Sequence, residues 1–171
     1  MAITYEPIAT ATTTSGQTEV NFTNVPNTYT DIIAVASSGA SATGQDFRVR
    51  VGAGAVDTGE NYSSIRVGSN RTIGTSAVAS SFYGVNTNYI GSAFIAGFGN
   101  DQATSIFEFN YYANTLKQKS ILFRTGEGET EIIMGVGRWN NTSAISTIQF
   151  YQPTTSYSTG SIFTLYGILR A

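Results

Sequence analysis

Three glutamates two residues apart, Glu127, Glu129 and Glu131, form the first group whose type and spacing could do chemistry. On a strand that spacing projects all three from one face. Such a row could hold calcium or magnesium, or supply an acid/base pair. It equally describes a solvated hairpin that like-charge repulsion keeps from pairing edge to edge. Hard-cation sites ordinarily add Asn or Asp ligands in a tight loop, so the hairpin is the expectation. Gly52-Ala53-Gly54 and Gly126-Glu127-Gly128 invite comparison with phosphate-cradling loops. Neither opens a helix or leads into Gly-Lys-Ser/Thr, so both read as turns. Asp46, Asp57 and Glu60, with Arg48 and Arg50, could be drawn as a glycosidase carboxylate pair. That chemistry needs two opposed carboxylates at a defined separation, and loop surface charge is the plainer reading.

The chain has neither histidine nor cysteine. Their absence removes disulfides, thiolate metal sites, cysteine nucleophiles, the usual general base at neutral pH and the middle member of a Ser-His-Asp triad. No catalytic, cofactor-binding or metal-ligating residue is therefore predicted. Only 12% of the residues are Asp, Glu, Lys or Arg, about half the ordinary share. Thr, Ser, Asn and Gly fill the polar positions, as suits faces that lie against other subunits. With a net charge of -2 and scattered Lys and Arg, the chain lacks the basic footprint of a nucleic-acid binder.

Trp139, Tyr151 and Tyr157 flank the Asn140-Asn141 turn and the Pro153 loop. Aromatics beside Asn, Gln and Thr can stack on sugars or anchor a protein partner, and they can equally be core residues. These three and Tyr166 are the candidate interface or surface-binding residues. The Asn-x-Ser/Thr triplets at Asn21, Asn61 and Asn141 carry no meaning without a secretory signal. The opening residues, Met1 to Glu6, show no basic segment followed by an apolar run, so no signal peptide is expected and synthesis in the cytoplasm is. No stretch has the apolar length of a membrane-spanning helix.

The elements that would position these residues are strands. Phe47, Val49 and Val51 alternate with Asp46, Arg48 and Arg50; Glu19–Phe22 repeats the pattern; Phe107, Phe109 and Tyr111 share a side. Further candidates are 3–12, 29–36, 62–67, 89–96, 120–124, 131–138, 145–151 and 161–169, rich in Thr, Val, Ile, Tyr and Phe. Turn signals such as Ser15-Gly16, Ser38-Gly39, Thr43-Gly44 and Thr159-Gly160 separate them. About ten short strands predict one all-β domain over 1–171, an antiparallel jelly-roll-like β-sandwich with one or two added strands. Residues 1–15 would be an N-terminal arm or edge strand. The span 52–81, rich in Gly, Ala, Ser and Thr, reads as long surface loops around one strand. The run Ile162 to Leu169 is apolar on both faces, which predicts cover on both sides, in the sandwich interior or at an inter-subunit contact, and a chain end pinned into the sheet.

Three stretches together resemble a family of tailed-bacteriophage virion structural proteins, cyanophages among their sources. The first runs from Val20-Asn21-Phe22 through Val25-Pro26 to Tyr29-Thr30-Asp31-Ile32-Ile33. The second runs from Phe107-Glu108-Phe109-Asn110-Tyr111 to Lys119-Ser120-Ile121-Leu122-Phe123. The third is Gly137-Arg138-Trp139 with Ala144-Ile145-Ser146-Thr147-Ile148, closed by Gly160 to Ile168. Proteins of this kind serve as capsid decoration (cement) proteins or as tail-fibre domains. The resemblance implies a jelly-roll-like fold, a structural role in the virion, homotrimers and no catalytic motif. The expected function is a decoration protein that binds and stabilises the major capsid shell, with the major capsid protein and itself as partners and no cofactor. A tail-fibre or receptor-binding module contacting host glycans is the alternative.

Overall fold

Apolar and polar residues alternate along most of this chain, and the alternation resolves into twelve strands with no helix among the described residues. Those are 4–41, 45–70, 78–95, 102–126 and 131–169 of the computed structural model. The strands are β1 (Thr4–Thr12), β2 (Glu19–Phe22), β3 (Asp31–Ser38), β4 (Gln45–Gly52), β5 (Tyr62–Asn70), β6 (Val78–Thr87), β7 (Ile90–Ile95), β8 (Ala103–Asn110), β9 (Lys119–Gly126), β10 (Glu131–Trp139), β11 (Thr147–Tyr151) and β12 (Ile162–Leu169). All pair antiparallel, in an eight-stranded sheet β1-β12-β3-β8-β9-β10-β5-β6 and a four-stranded sheet β2-β11-β4-β7.

The pairing is nested. β1 pairs with β12, β2 with β11, β3 with β8 and β4 with β7, so one long hairpin is rolled into two layers. β12 also pairs with β3, and β11 with β4, which closes the sheets β1-β12-β3-β8 and β2-β11-β4-β7. These eight strands are a jelly roll. The other four come from two insertions, β5–β6 between β4 and β7, and β9–β10 between β8 and β11. They extend one edge of the larger sheet as a wing, β9-β10-β5-β6. The sequence predicts one or two added strands where the fold has four. β6 is the strand missed, because its Ser, Gly and Asn content reads as loop.

Between the sheets lies an aromatic core. Phe150 of β11 has its ring centroid 5.5 Å from Phe107 of β8 and 5.3 Å from Phe163 of β12, with Phe22 and Tyr157 completing the cluster. Val49, Val51, Ile148, Ile32 and Leu165 fill the layer. The wing is held close to β7 because β10 has no side chain at two inward positions. A Cβ on Gly137 would lie 1.9 Å from Ile90 Cγ2, and one on Gly135 would lie 2.4 Å from Phe123 Cζ.

Two strand-level expectations change. Tyr111 does not share the inward side of Phe107 and Phe109: β8 stops at Asn110, Tyr111 turns out with φ of 49°, and Tyr112 takes the buried place. Asp31 Oδ1 accepts the Tyr111 amide at 2.8 Å and so fixes that turn. β12 does not lie in the sandwich interior: Phe163 and Leu165 point into the core, while its other face, with Ile162 exposed and Thr164 and Tyr166 half-buried, is left to the inter-subunit alternative. Its place between β1 and β3 does pin it into the sheet. Residues 4–12 form an edge strand, with Pro7 beside a register shift where a missing donor is tolerated. At the corner around Pro26, Asn24 adopts φ of 55° and the Tyr112 hydroxyl donates to the Pro26 carbonyl.

Candidate interaction surfaces

The wing is where the sandwich leaves apolar side chains uncovered. Residues alternate across a strand, so Ile133, Gly135, Gly137 and Trp139 of β10 face inward while Ile132, Met134, Val136 and Arg138 face out. In the same register, Val136 stands opposite Ile65 and Leu122, and Met134 opposite Val67 and Arg124. Tyr83 lies across from Ile65 on β6. Ile65, Val67, Tyr83, Val85, Leu122, Ile132 and Met134 are all exposed on this outer face. Two open grooves of about 530 and 450 Å³ run between them and meet at Ile65 and Val136. Charge is sparse: Arg124 Nη2 meets Glu108 Oε1 at 3.6 Å, and Arg138 stands at one end. At ~4.8 Å per strand and ~3.3 Å per residue the wing face measures ~500 Å², the size at which an exposed apolar patch marks a partner.

The outer face of the four-stranded sheet has opposite chemistry. Val20, Phe22, Val49, Val51, Ile148 and Phe150 point inward, so the alternate positions turn out. They form two cross-strand rows. Asn21, Gln149 and Arg50 make one; Glu19, Tyr151 and Arg48 make the other. The Arg50 guanidinium lies 4.1 Å from the Tyr151 ring centroid, and that of Arg48 lies 4.1 Å from the Tyr89 centroid. Arg50 Nε donates to the Asn88 carbonyl at 2.7 Å. Glu19 spends its carboxylate on amides, accepting from Asn21 Nδ2 at 3.1 Å and Gln149 Nε2 at 3.0 Å. Arg48 Nε, Gln149 Oε1 and the Tyr151 hydroxyl are buried without a hydrogen-bond partner.

The carboxylates weighed for chemistry take other places. Glu127 and Glu129 lie outside the described residues, as do the Asp46 and Glu131 side chains. Asp57 does not face Arg48 or Arg50; it organises a loop. Its carboxylate accepts Trp139 Nε1 at 2.8 Å, the Gly59 amide at 2.9 Å and Asn61 Nδ2 at 3.0 Å. Burial alone would raise the Asp57 pKa, but those hydrogen bonds together hold it below the ordinary carboxylate value. Glu60 is exposed beside it. Gly54 is a turn residue with φ of 87°, its amide donating to Ser146 Oγ. Among the described residues no three His, Cys, Asp or Glu side chains gather as a metal site would require.

The four aromatic candidates divide. Trp139 and Tyr157 are fully interior, so neither ring can stack on an outside partner. Tyr151 lies on the polar face under Arg50, and half-buried Tyr166 faces out from β12. The sequence reading took Arg48 and Arg50 for surface charge beside carboxylates and missed their stacking on Tyr89 and Tyr151, and the outer face of β10 escaped it. The register of Arg48 and Arg50 in an alternating strand was a signal for the first; the apolar residues on both sides of β10 were a signal for the second.

Lys119 is buried, its ammonium donating to the carbonyls of Asn114, Lys117 and Thr142, the last two at 2.9 Å. It clamps the segment after β8 to the one after β10. Set against protein-family models and against curated proteins, the chain matches none.

Proposed function

We propose that this chain is a non-enzymatic structural component of a bacteriophage particle, a decoration (cement) protein that seats its wing on the major capsid shell. The outer face of the wing carries the reading. The inserted strands give Tyr62, Ile121, Phe123, Ile133 and Trp139 to the core on their inner side, yet they also bear most of the exposed large apolar side chains among the described residues. An independent domain leaves such a face uncovered at a cost in solubility, so its use is to be covered by protein. Among the described residues the face is nearly neutral, with one ion pair and one terminal arginine, which suits packing against another subunit's apolar surface. Flanking Ile106, Val35 and Ile33 extend it across β8 and β3 toward the ~800 Å² per partner of a stable interface.

A decoration protein stabilises a shell by binding the assembled form and not the dissociated one. Homotrimers fit this role, because a threefold copy set can bridge neighbouring capsomers. The direct test is binding of the purified chain to particles stripped of it. Saturable binding at hundreds of copies per particle, with recovered resistance to heat, is the expected result. Absence of binding, or a copy number confined to a few tens at the tail, would overturn the assignment.

A further inference from the structure

We infer that the outer face of the four-stranded sheet is a binding site for an acidic saccharide, with Arg48 and Arg50 receiving its carboxylate or sulfate groups. The site is independent of the wing and lies on the opposite side of the sandwich.

Both guanidiniums are pinned, and among the described residues neither meets a carboxylate; the Asp46 side chain lies outside those residues. Stacking on Tyr89 and Tyr151 fixes their planes and leaves N–H edges as donors. Arg50 commits its Nε to Asn88, and Arg48 Nε has no acceptor. The Nε atoms are thus spent or buried, and an oxyanion at this half-buried face would be met by the terminal guanidinium nitrogens with charge-assisted hydrogen bonds. The one carboxylate in the two rows, Glu19, is turned to Asn21 and Gln149. Among the described residues the ion pair is Arg124–Glu108, on the other sheet. Positions 48 and 50 stand two residues apart on one strand, ~7 Å, so the two cations can receive separate anionic groups of one chain.

The neighbours favour a sugar over other anions. Gln149 Oε1 and the Tyr151 hydroxyl are unpartnered, and Asn21 and Gln149 present amides, a set that exchanges hydrogen bonds with hydroxyl groups. Nucleic acid is disfavoured, because two arginines beside Glu19 in a chain of net charge -2 make a poor phosphate track.

The test is calorimetric titration with a galacturonate hexamer, a sulfated hexasaccharide, cellohexaose, hexaglutamate and a single-stranded DNA hexamer. The expected result is binding of the galacturonate or sulfated probe, distinguishing carboxylate from sulfate recognition, and weak or no binding of the other three. Arg48→Gln and Arg50→Gln should each weaken binding by about tenfold or more, as loss of a charge-assisted pair implies. Arg138→Gln, on the outward side of the other sheet, should leave it unchanged. In the wild type, amide and side-chain NMR shifts on addition of the bound probe should concentrate at Asn21, Arg48, Arg50 and Gln149, a readout that needs no variant to fold. Failure of both acidic sugars to bind overturns the proposal. So does equal binding of cellohexaose, hexaglutamate or DNA, retention in both arginine variants, or shifts centred on the wing. Apart from shifts centred on the wing, these outcomes leave the capsid reading untouched, since it rests on the opposite face.

Discussion

Met134→Glu separates docking from folding. Met134 is 57% exposed at the centre of the wing, between Val67 and Arg124 in the β-ladder, and it lines the larger groove. In the isolated chain the substitution removes little buried area, and surface changes of this kind stay within about 0.5 kcal/mol. For a domain of this size that shifts the melting temperature by about 2 °C or less. In the docked state the balance reverses. Covering the exposed half of a methionine contributes about 1 kcal/mol, and that gain is lost. A carboxylate pressed against apolar surface adds a desolvation penalty of several kcal/mol, only partly offset by Arg124. A total near 4 kcal/mol corresponds to about a thousandfold weaker binding. Sedimentation of the variant with stripped particles measures the loss, and differential scanning fluorimetry of the free chain checks the fold. A variant that melts normally and still decorates particles at wild-type affinity would refute the assignment of this face.

Other consequences are confined to the fold. Gly137→Val should destabilise the chain by about 2–3 kcal/mol, because any Cβ there meets Ile90 and overpacking costs that much; an unchanged urea midpoint would contradict the packing of β7 on β10. Phe150→Ala, which removes the ring shared by Phe107, Phe163 and Phe22, should cost about 3–5 kcal/mol and lower the melting temperature by about 10 °C. Asp57 has a folded-state pKa below its ordinary value of 3.8, so its contribution is present above that pH and lost as pH falls through the folded value. Acid titration of stability should therefore show a smaller loss below about pH 4 in Asp57→Asn than in the wild type, and equal slopes would sink the linkage. Trp139→Phe, which deletes the indole donor to Asp57, should destabilise by about 1 kcal/mol in neutral chemical denaturation, the charged hydrogen bond being discounted for its partly exposed carboxylate.

Much of the strand content was legible because β-structure writes itself locally. Val49 and Val51 face in and Arg48 and Arg50 face out because successive side chains alternate, whatever the partner strands. Phe107 and Phe109 follow the same rule. It fails at Tyr111, where the Asp31 carboxylate holds a left-handed turn from eighty residues away. β6 was illegible for a related reason: Ser80, Ser81, Gly84 and Asn86 are poor strand formers alone, and they become a strand through the ladder to β5.

The candidate surfaces divide along the same line. The amino-acid sequence by itself determined an all-β chain, deprived of imidazole and thiol and short of charge, whose polar groups are amides and hydroxyls. It did not decide which apolar residues are core. Ile132, Ile133, Met134 and Val136 are equally fit for burial, and β10 has two faces; Ile133 joins the core cluster, while no described residue covers Ile132 or Met134. Trp139 likewise became an interior residue only when the β4–β5 loop brought Asp57 to its indole, 82 residues away. Burial belongs to whatever layer lies opposite a strand, and opposition between strands far apart in sequence is set by how the hairpin rolls.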